Sequence, residues 1–285
     1  MTDQQSNHSR GEAEPVDIAG DVAHPARVYD YVLGGDGHFA ADRKAADDAA
    51  AAGRGGLDHA RAAVHANQAF LLRTVTYLVR DLGVRQLLNV GASIPTAVDT
   101  VHELAQRIAP DSRIVYVNDD PVVLAHAHTL RRSGPQGAAD YINADPRDPR
   151  TILEQAEHTL DLGQPTGVIL ASILHHICDT NDPHKIVARY VDALAPASYL
   201  LASHLTSDIM TDEVTEAARR LNEQPGFTLV PRSQAEIARF FEGLDLVPPG
   251  LVLIDRWHSP AVPPPAPHPL PIPFYGAIGR KSEQR

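Results

Sequence analysis

The residues in this chain that could do chemistry sit where apolar runs stop. Gln86-Leu87-Leu88-Asn89-Val90 passes directly into Gly91-Ala92-Ser93-Ile94-Pro95-Thr96. A glycine straight after a buried strand lets the backbone bend sharply and approach a ligand with no Cβ in the way. Ala92 and Ser93 keep that approach close, and the Ser93 hydroxyl can donate a hydrogen bond. Thr96 suits the N-cap of a helix from Ala97, whose free N–H groups would point at the same place. Taken alone, the segment reads equally well as a plain strand-to-helix turn. Roughly 25 residues later a second run, Ile114-Val115-Tyr116-Val117, ends in Asn118-Asp119-Asp120-Pro121, the spacing at which a βαβ unit sets an acceptor beside a ribose. A carboxylate can accept from both hydroxyls of a diol, whereas Asn118 offers one carbonyl oxygen. Asp120, just before a proline, has the alternative task of capping the next helix. Asn143-Ala144-Asp145-Pro146 closes a third run, where Asp145 either accepts from an adenine amine or caps the turn. A fourth run closes in Ala171-Ser172-Ile173-Leu174-His175-His176. Ser172 lies at the strand end, and either histidine can contact a substrate, act as a base near neutral pH, or simply pack.

The motifs that are missing narrow the ligand. Beyond Gly91 the turn does not fit G-x-G-x-x-G, so a pyrophosphate has no glycine cradle and a nicotinamide dinucleotide is disfavoured. A nucleoside-type ligand without phosphates asks only for a close backbone, a diol acceptor and an adenine pocket. There is no H-E-x-x-H, G-x-S-x-G or G-K-[ST] sequence, and His175-His176 with Asp179 or Asp182 makes no convincing metal site.

The elements that must carry these ends follow from periodicity. Apolar and aromatic residues from Ala26 to Leu33 recur at helical spacing and stop at Gly34-Gly35. Phe39–Ala52 is alanine-rich and predicted helical, and Leu57–Leu82 is a long helix that ends at Gly83. Strands are predicted at Gln86–Val90, Arg113–Val117, Ala138–Asn143, Gly167–Ser172 and Ser198–Ser203. Helices alternate with them at Ala97–Ile108, Val122–Arg131, Thr151–Leu160 and Pro183–Leu194. Strands two and four are apolar without alternation, as in a parallel sheet covered on both faces. Further on, Asp212–Asn222 is an amphipathic helix, and Ser233-Gln234-Ala235-Glu236 fits a capping box for a helix reaching Phe241. Leu251–Trp257 and Phe274–Ile278 read as two late strands forming an antiparallel edge hairpin on a mixed sheet, with the proline-rich Pro260–Pro273 between them as a loop.

A chain of 285 residues suffices for one large α/β domain or two small ones. Asp and Glu outnumber Lys and Arg by 36 to 25, for a net charge of −11, which argues against a nucleic-acid partner. The single cysteine, Cys178, excludes an intramolecular disulfide. With no basic leader and no long apolar run, the expectation is a cytoplasmic protein with no membrane partner and a small-molecule substrate. A homo-oligomer is left open. Residues 1–23 are expected to form a disordered tail, 24–84 a helical cover and 85–281 the α/β core, the last two integrated as one domain.

The order of these signals resembles the class I S-adenosylmethionine-dependent methyltransferases, and more narrowly an actinobacterial family described as S-adenosyl methyltransferase, formerly a domain of unknown function. The resemblance is carried by His24-Pro25-Ala26-Arg27-Val28-Tyr29-Asp30-Tyr31-Val32-Leu33-Gly34-Gly35, Ala66-Asn67-Gln68-Ala69-Phe70, Asn89-Val90-Gly91, Val117-Asn118-Asp119-Asp120-Pro121, Asn143-Ala144-Asp145, Leu174-His175-His176 and Tyr275-Gly276-Ala277-Ile278-Gly279-Arg280. It implies a Rossmann-like, seven-stranded mixed sheet with helices on both faces, its last strand antiparallel, and additional N-terminal helices. It implies S-adenosyl-L-methionine as cofactor, with methionine near Gly91, ribose at the end of strand two and adenine near Asp145. Tyr29 and Asn67 would help cover the cofactor. If the acceptor needs a base, Tyr29, Tyr31, His38, His175 and His176 are the candidates, in no order the sequence decides; His175, His176 and Tyr31 are taken as catalytic. The chain departs from the family pattern at Asn89 and Asn118, where acidic residues are usual. The alternative is therefore a degenerate, non-catalytic member that binds an adenosine-like metabolite or a protein partner.

Overall fold

The computed structural model describes residues 19–51, 53, 55–94, 100–129, 136–223, 227–259 and 268–282. Most of the expected tail lies outside the described residues, as do Pro95, the Thr96 cap and the first turn of the helix expected from Ala97. Ala19 and Val22, assigned to that tail, are instead anchored: their carbonyls accept from the buried guanidinium of Arg27.

Among the described residues three helices precede the sheet. They are α1 (Pro25–Leu33), α2 (Ala40–Ala51) and α3 (Gly56–Thr76), which continues as a π-helical turn over Tyr77–Asp81. His24 caps α1 by accepting from the Ala26 N–H, and Pro25 takes the first helical position, where a missing N–H costs nothing. The helix stops at Gly34, whose φ of 86° is the left-handed conformation a glycine adopts without strain.

The core alternates strand and helix: β1 (Gln86–Val90), α4 (Val101–Ile108), β2 (Arg113–Asn118), α5 (Pro121–Thr129), β3 (Ala138–Asn143), α6 (Pro149–Ala156), β4 (Thr166–Ala171), α7 (Pro183–Asp192) and β5 (Tyr199–Leu205). There follow α8 (Asp212–Leu221), α9 (Gln234–Ala238), β6 (Leu244–Leu246), β7 (Val252–Leu253) and β8 (Phe274–Lys281). The described N-cap of α4 is Thr100, which forms a reciprocal capping box with Glu103. The Ser233–Glu236 box at α9 forms as the sequence predicts.

Among the described residues eight strands form one sheet, in the order β3-β2-β1-β4-β5-β8-β6, with β7 pairing β8 beside that path. β1 to β5 are parallel, and β8 is antiparallel. The seven-stranded path matches the expectation, with β7 as an extra short strand. The closing strands correct the expected edge hairpin, because β8 inserts between β5 and β6 and is not an edge. Leu251–Trp257 yields only two strand residues. Its chain turns after Leu253 so that Trp257 can bury completely, edge-on against Phe70 and Tyr77. Three-residue β6 is too short to carry a periodic signal.

Strand alternation divides the core. Leu87, Ile114, Ile169, Leu201 and Ile278 face α3 and α4, while Leu88, Val115, Val168, Leu170 and Leu200 face α6, α7 and α9. Both faces are buried, as the unbroken apolar runs of β2 and β4 predict. Strand order reverses between β1 and β4, and a crevice opens at the carboxyl ends of such strands. The cover helices and the Phe227–Thr228 segment close over that crevice.

Candidate functional site

The crevice is a cavity of about 420 Å³, within the range of small-molecule sites. Gly91, Ala92 and Ser93 after β1, Asn118 ending β2 and Asp119 after it, Asp145 after β3, and Ser172 and His176 after β4 all line it. Tyr29 of α1 and Asn67 of α3 line it from the cover. Ten sequence-predicted residues therefore meet at one place.

Each edge has its own geometry. Gly91 has φ +77°, and a Cβ there would sit 2.5 Å from Ile173 Cγ1, so the position admits glycine alone. The Gly91 and Ala92 N–H groups both donate to Val117 O, at 2.9 and 3.1 Å, which pins the turn to β2. Asn118 Nδ2 donates to Ala92 O at 2.7 Å, and its Oδ1 accepts from Asp120 N at 2.7 Å. Asp119 is half-exposed at the rim, 3.5 Å from His24 Nε2. Tyr116 and Tyr141, neighbours in the β2–β3 register, stack 4.8 Å apart and wall the cavity. Beside them Asp145 is held by Arg147, whose Nε and Nη2 both reach its carboxylate. Burial raises the Asp145 pKa, but the Arg147 hydrogen bonds outweigh it and the carboxyl lies below its usual range. The acceptor expected for an adenine amine is thus already in a forked ion pair.

At β4 the chain is tied to the cover. Ser172 takes φ +60° and donates its N–H to Ser203 Oγ at 3.0 Å. Ser203 in turn donates to Asn67 Oδ1 at 2.6 Å, and Asn67 Nδ2 donates to Tyr29 Oη at 3.1 Å. Tyr29 donates onward to Val64 O. Burial pushes the Tyr29 hydroxyl up to about 12, against the opposing Asn67 hydrogen bond, so it stays protonated and serves as a strut.

Three candidates fall outside the cavity. Asp120 is buried and fully engaged: it accepts from the Val122 and Val123 N–H groups, capping α5, and lies 3.4 Å from Arg27 Nη1. Tyr31 points the other way along α1, donating to Asp47 Oδ1 and packing edge-on against His38, which is itself held by Asp30. His175 turns into the core beside His204 and Phe274, its Nδ1 accepting from Leu205 N. Only its neighbour His176 faces the cavity. A single 3₁₀ turn, Leu174–His176, makes that division.

His176 Nδ1 donates to Thr228 O at 2.7 Å, which leaves the lone pair on Nε2. Burial lowers its pKa to about 4, against the Thr228 bond that raises it. His204 is lowered to about 3, also by burial, with Arg232 donating to its Nε2 and its Nδ1–H donating to Leu205 O. These rings fold neutral, whereas in the unfolded chain they protonate near 6.5. Stability should therefore be complete above pH 6.5. It should fall as the pH drops toward 4, by up to about 1.4 kcal/mol per pH unit for each neutral ring. Thermal melting from pH 8 to 4 checks this, and H204Q should flatten the slope.

The other lining residues differ in how far the sequence announces them. Tyr116 shares strand parity with Asn118, and that alternation puts it on the same edge. Gln68 follows Asn67 on α3, and Arg147 follows Asp145. Phe227 and Thr228 arrive from a loop more than fifty residues beyond β4, which no spacing announces.

An open sheet reversing between β1 and β4, with an antiparallel strand inserted beside β5 and a cavity over the parallel strand ends, defines a class I methyltransferase fold. The sequence profile of the family described as S-adenosyl methyltransferase matches residues 11–282, and the chain belongs to that family. It is similar to a DUF574 family protein from Streptomyces avermitilis, with 36% identity and a TM-score of 0.85 over 93% of this chain and 100% of that one. It is also similar to a Thermobifida fusca protein with a provisional methyltransferase assignment, with 34% identity and a TM-score of 0.82 over 92% of this chain and 96% of that one. No curated protein matches it.

Proposed function

We propose that this protein is an S-adenosyl-L-methionine-dependent methyltransferase acting on a small molecule. The observation that carries the reading is the convergence, in one cavity, of the Gly91 turn, the Asp119 carboxylate, the Tyr116–Tyr141 wall and the His176 ring. These fit the cofactor: a wall for a purine, an acceptor for a diol, and a backbone turn close enough for an amino-acid tail. Bound there, S-adenosylmethionine would supply a methyl group already activated on a sulfonium. The chain's work is then to orient the acceptor, exclude water and receive its proton.

His176 is the group suited to receive it. Thr228 fixes the tautomer, so the lone pair is on Nε2 of a ring that lines the cavity. With a pKa of about 4 it stays unprotonated throughout the neutral range. So weak a base matches an acceptor with an acidic proton, such as a phenol or a heteroaromatic N–H. Leu71, Ile173, Ile177 and Phe227 supply an apolar surround for such a ring.

The experiment is transfer of tritiated methyl from S-adenosylmethionine into the low-molecular-weight fraction of a bacterial extract. Label should appear in a small molecule, and H176Q should lower its rate by about a hundredfold with cofactor affinity unchanged. Cofactor binding without any transfer would instead support the non-catalytic alternative.

A further inference from the structure

At the end of a second parallel strand, a βαβ nucleotide site places an acid that accepts from the ribose. Asn118 holds that place, yet its amide is committed to the protein. Its two partners are backbone groups of fixed character: Ala92 O can only accept and Asp120 N can only donate. The orientation of the amide follows from them. Asparagine supplies one donor and one acceptor on a short stem. An aspartate would set a buried carboxylate oxygen against the Ala92 carbonyl oxygen.

We propose that Asn118 is a positioning residue that locks the Gly91–Ala92 turn to β2, and that recognition of the ribose diol has moved to Asp119. Together with the two N–H donations to Val117 O, the Asn118 bond ties the turn on both its donor and acceptor sides. Asp119, one residue further, is the carboxylate at the β2 end that lines the cavity and is half-exposed, while Asp120 is consumed by α5 and Arg27. His24 Nε2 lies 3.5 Å from Asp119 Oδ1 across the rim. The inference deepens the cofactor reading and rests on it for Asp119, but not for the Asn118 lock.

Its consequence opposes a simple restoration argument: putting an acid at 118 should harm the site. N118D should melt about 5 °C below wild type at neutral pH. It should also bind S-adenosylhomocysteine about tenfold more weakly by calorimetry. The melting gap should close toward pH 4, where the introduced carboxyl is protonated and can donate to Ala92 O. D119A should lose about tenfold in affinity with its melting temperature unchanged. Unchanged or tighter binding by N118D, or a melting gap independent of pH, would overturn the lock. Unchanged affinity in D119A would overturn the diol assignment. A wild-type chain that binds neither cofactor form would overturn the cofactor reading and the Asp119 assignment with it, while the melting comparison still decides the lock.

Discussion

Arg27→Ala is expected to cost about 3–5 kcal/mol. The guanidinium is buried and faces two buried carboxylates, Asp42 at 3.2 Å and Asp120 at 3.4 Å, while donating to the Ala19 and Val22 carbonyls. Removing it strands two acids away from water, and that penalty exceeds the worth of the ion pairs themselves. The damage should also reach function. Asp42 accepts from the His24 and Phe39 N–H groups, and Asp120 caps α5, so one cation joins the cover helices to the end of β2 beside Asp119. Arg27→Lys keeps the charge but lacks the fork, and should recover only part of the loss. Adding D42N and D120N to R27A should recover part as well, because the stranded charges disappear. Chemical denaturation of the four proteins checks the order: wild type, then R27K and the triple variant, then R27A.

The second large effect is expected at Gly91. Gly91→Ala forces an L-residue into φ +77° and drives its Cβ to 2.5 Å from Ile173 Cγ1. Strain and overpacking together should cost roughly 3 kcal/mol. Since Ile173 lies three residues before His176, relief by moving Ile173 disturbs the turn that aims that ring. Ile173→Ala in the same chain removes Cγ1 and Cδ1 but keeps the Cβ, which would still lie 2.8 Å away, so rescue should be partial. Melting of the single and double variants measures the share due to Cγ1 and Cδ1, which I173A removes, against the remaining Cβ contact and backbone strain, which it leaves.

What the sequence makes legible here depends on how local the cause is. Gly91, the Ser233–Glu236 box and the apolar runs of β2 and β4 announce themselves because a neighbouring residue or a short period decides their conformation. The strand ends that line the cavity follow from the same regularity. Asn118 shows the limit. Its spacing identifies the right place, yet its task is set by a carbonyl 26 positions back in the chain. His175 and His176 show another limit, since adjacent identical residues are sorted by the phase of a single 3₁₀ turn. Asp120 and Tyr31 carry plausible side chains for a site, but burial against Arg27 and a helix face turned toward Asp47 commit them elsewhere. The Phe227–Thr228 wall depends on packing of Phe227 with Ala45 of α2, a contact of very long sequence separation.

The proposed occupant of the cavity over the β1, β2, β3 and β4 ends is S-adenosylmethionine. Calorimetric titration of the full chain with the cofactor tests it most directly. Saturable binding at one site per chain, lost with G91A and weakened with D119A, is expected. Titration with no saturable heat, or tighter binding of a nicotinamide dinucleotide, would contradict it.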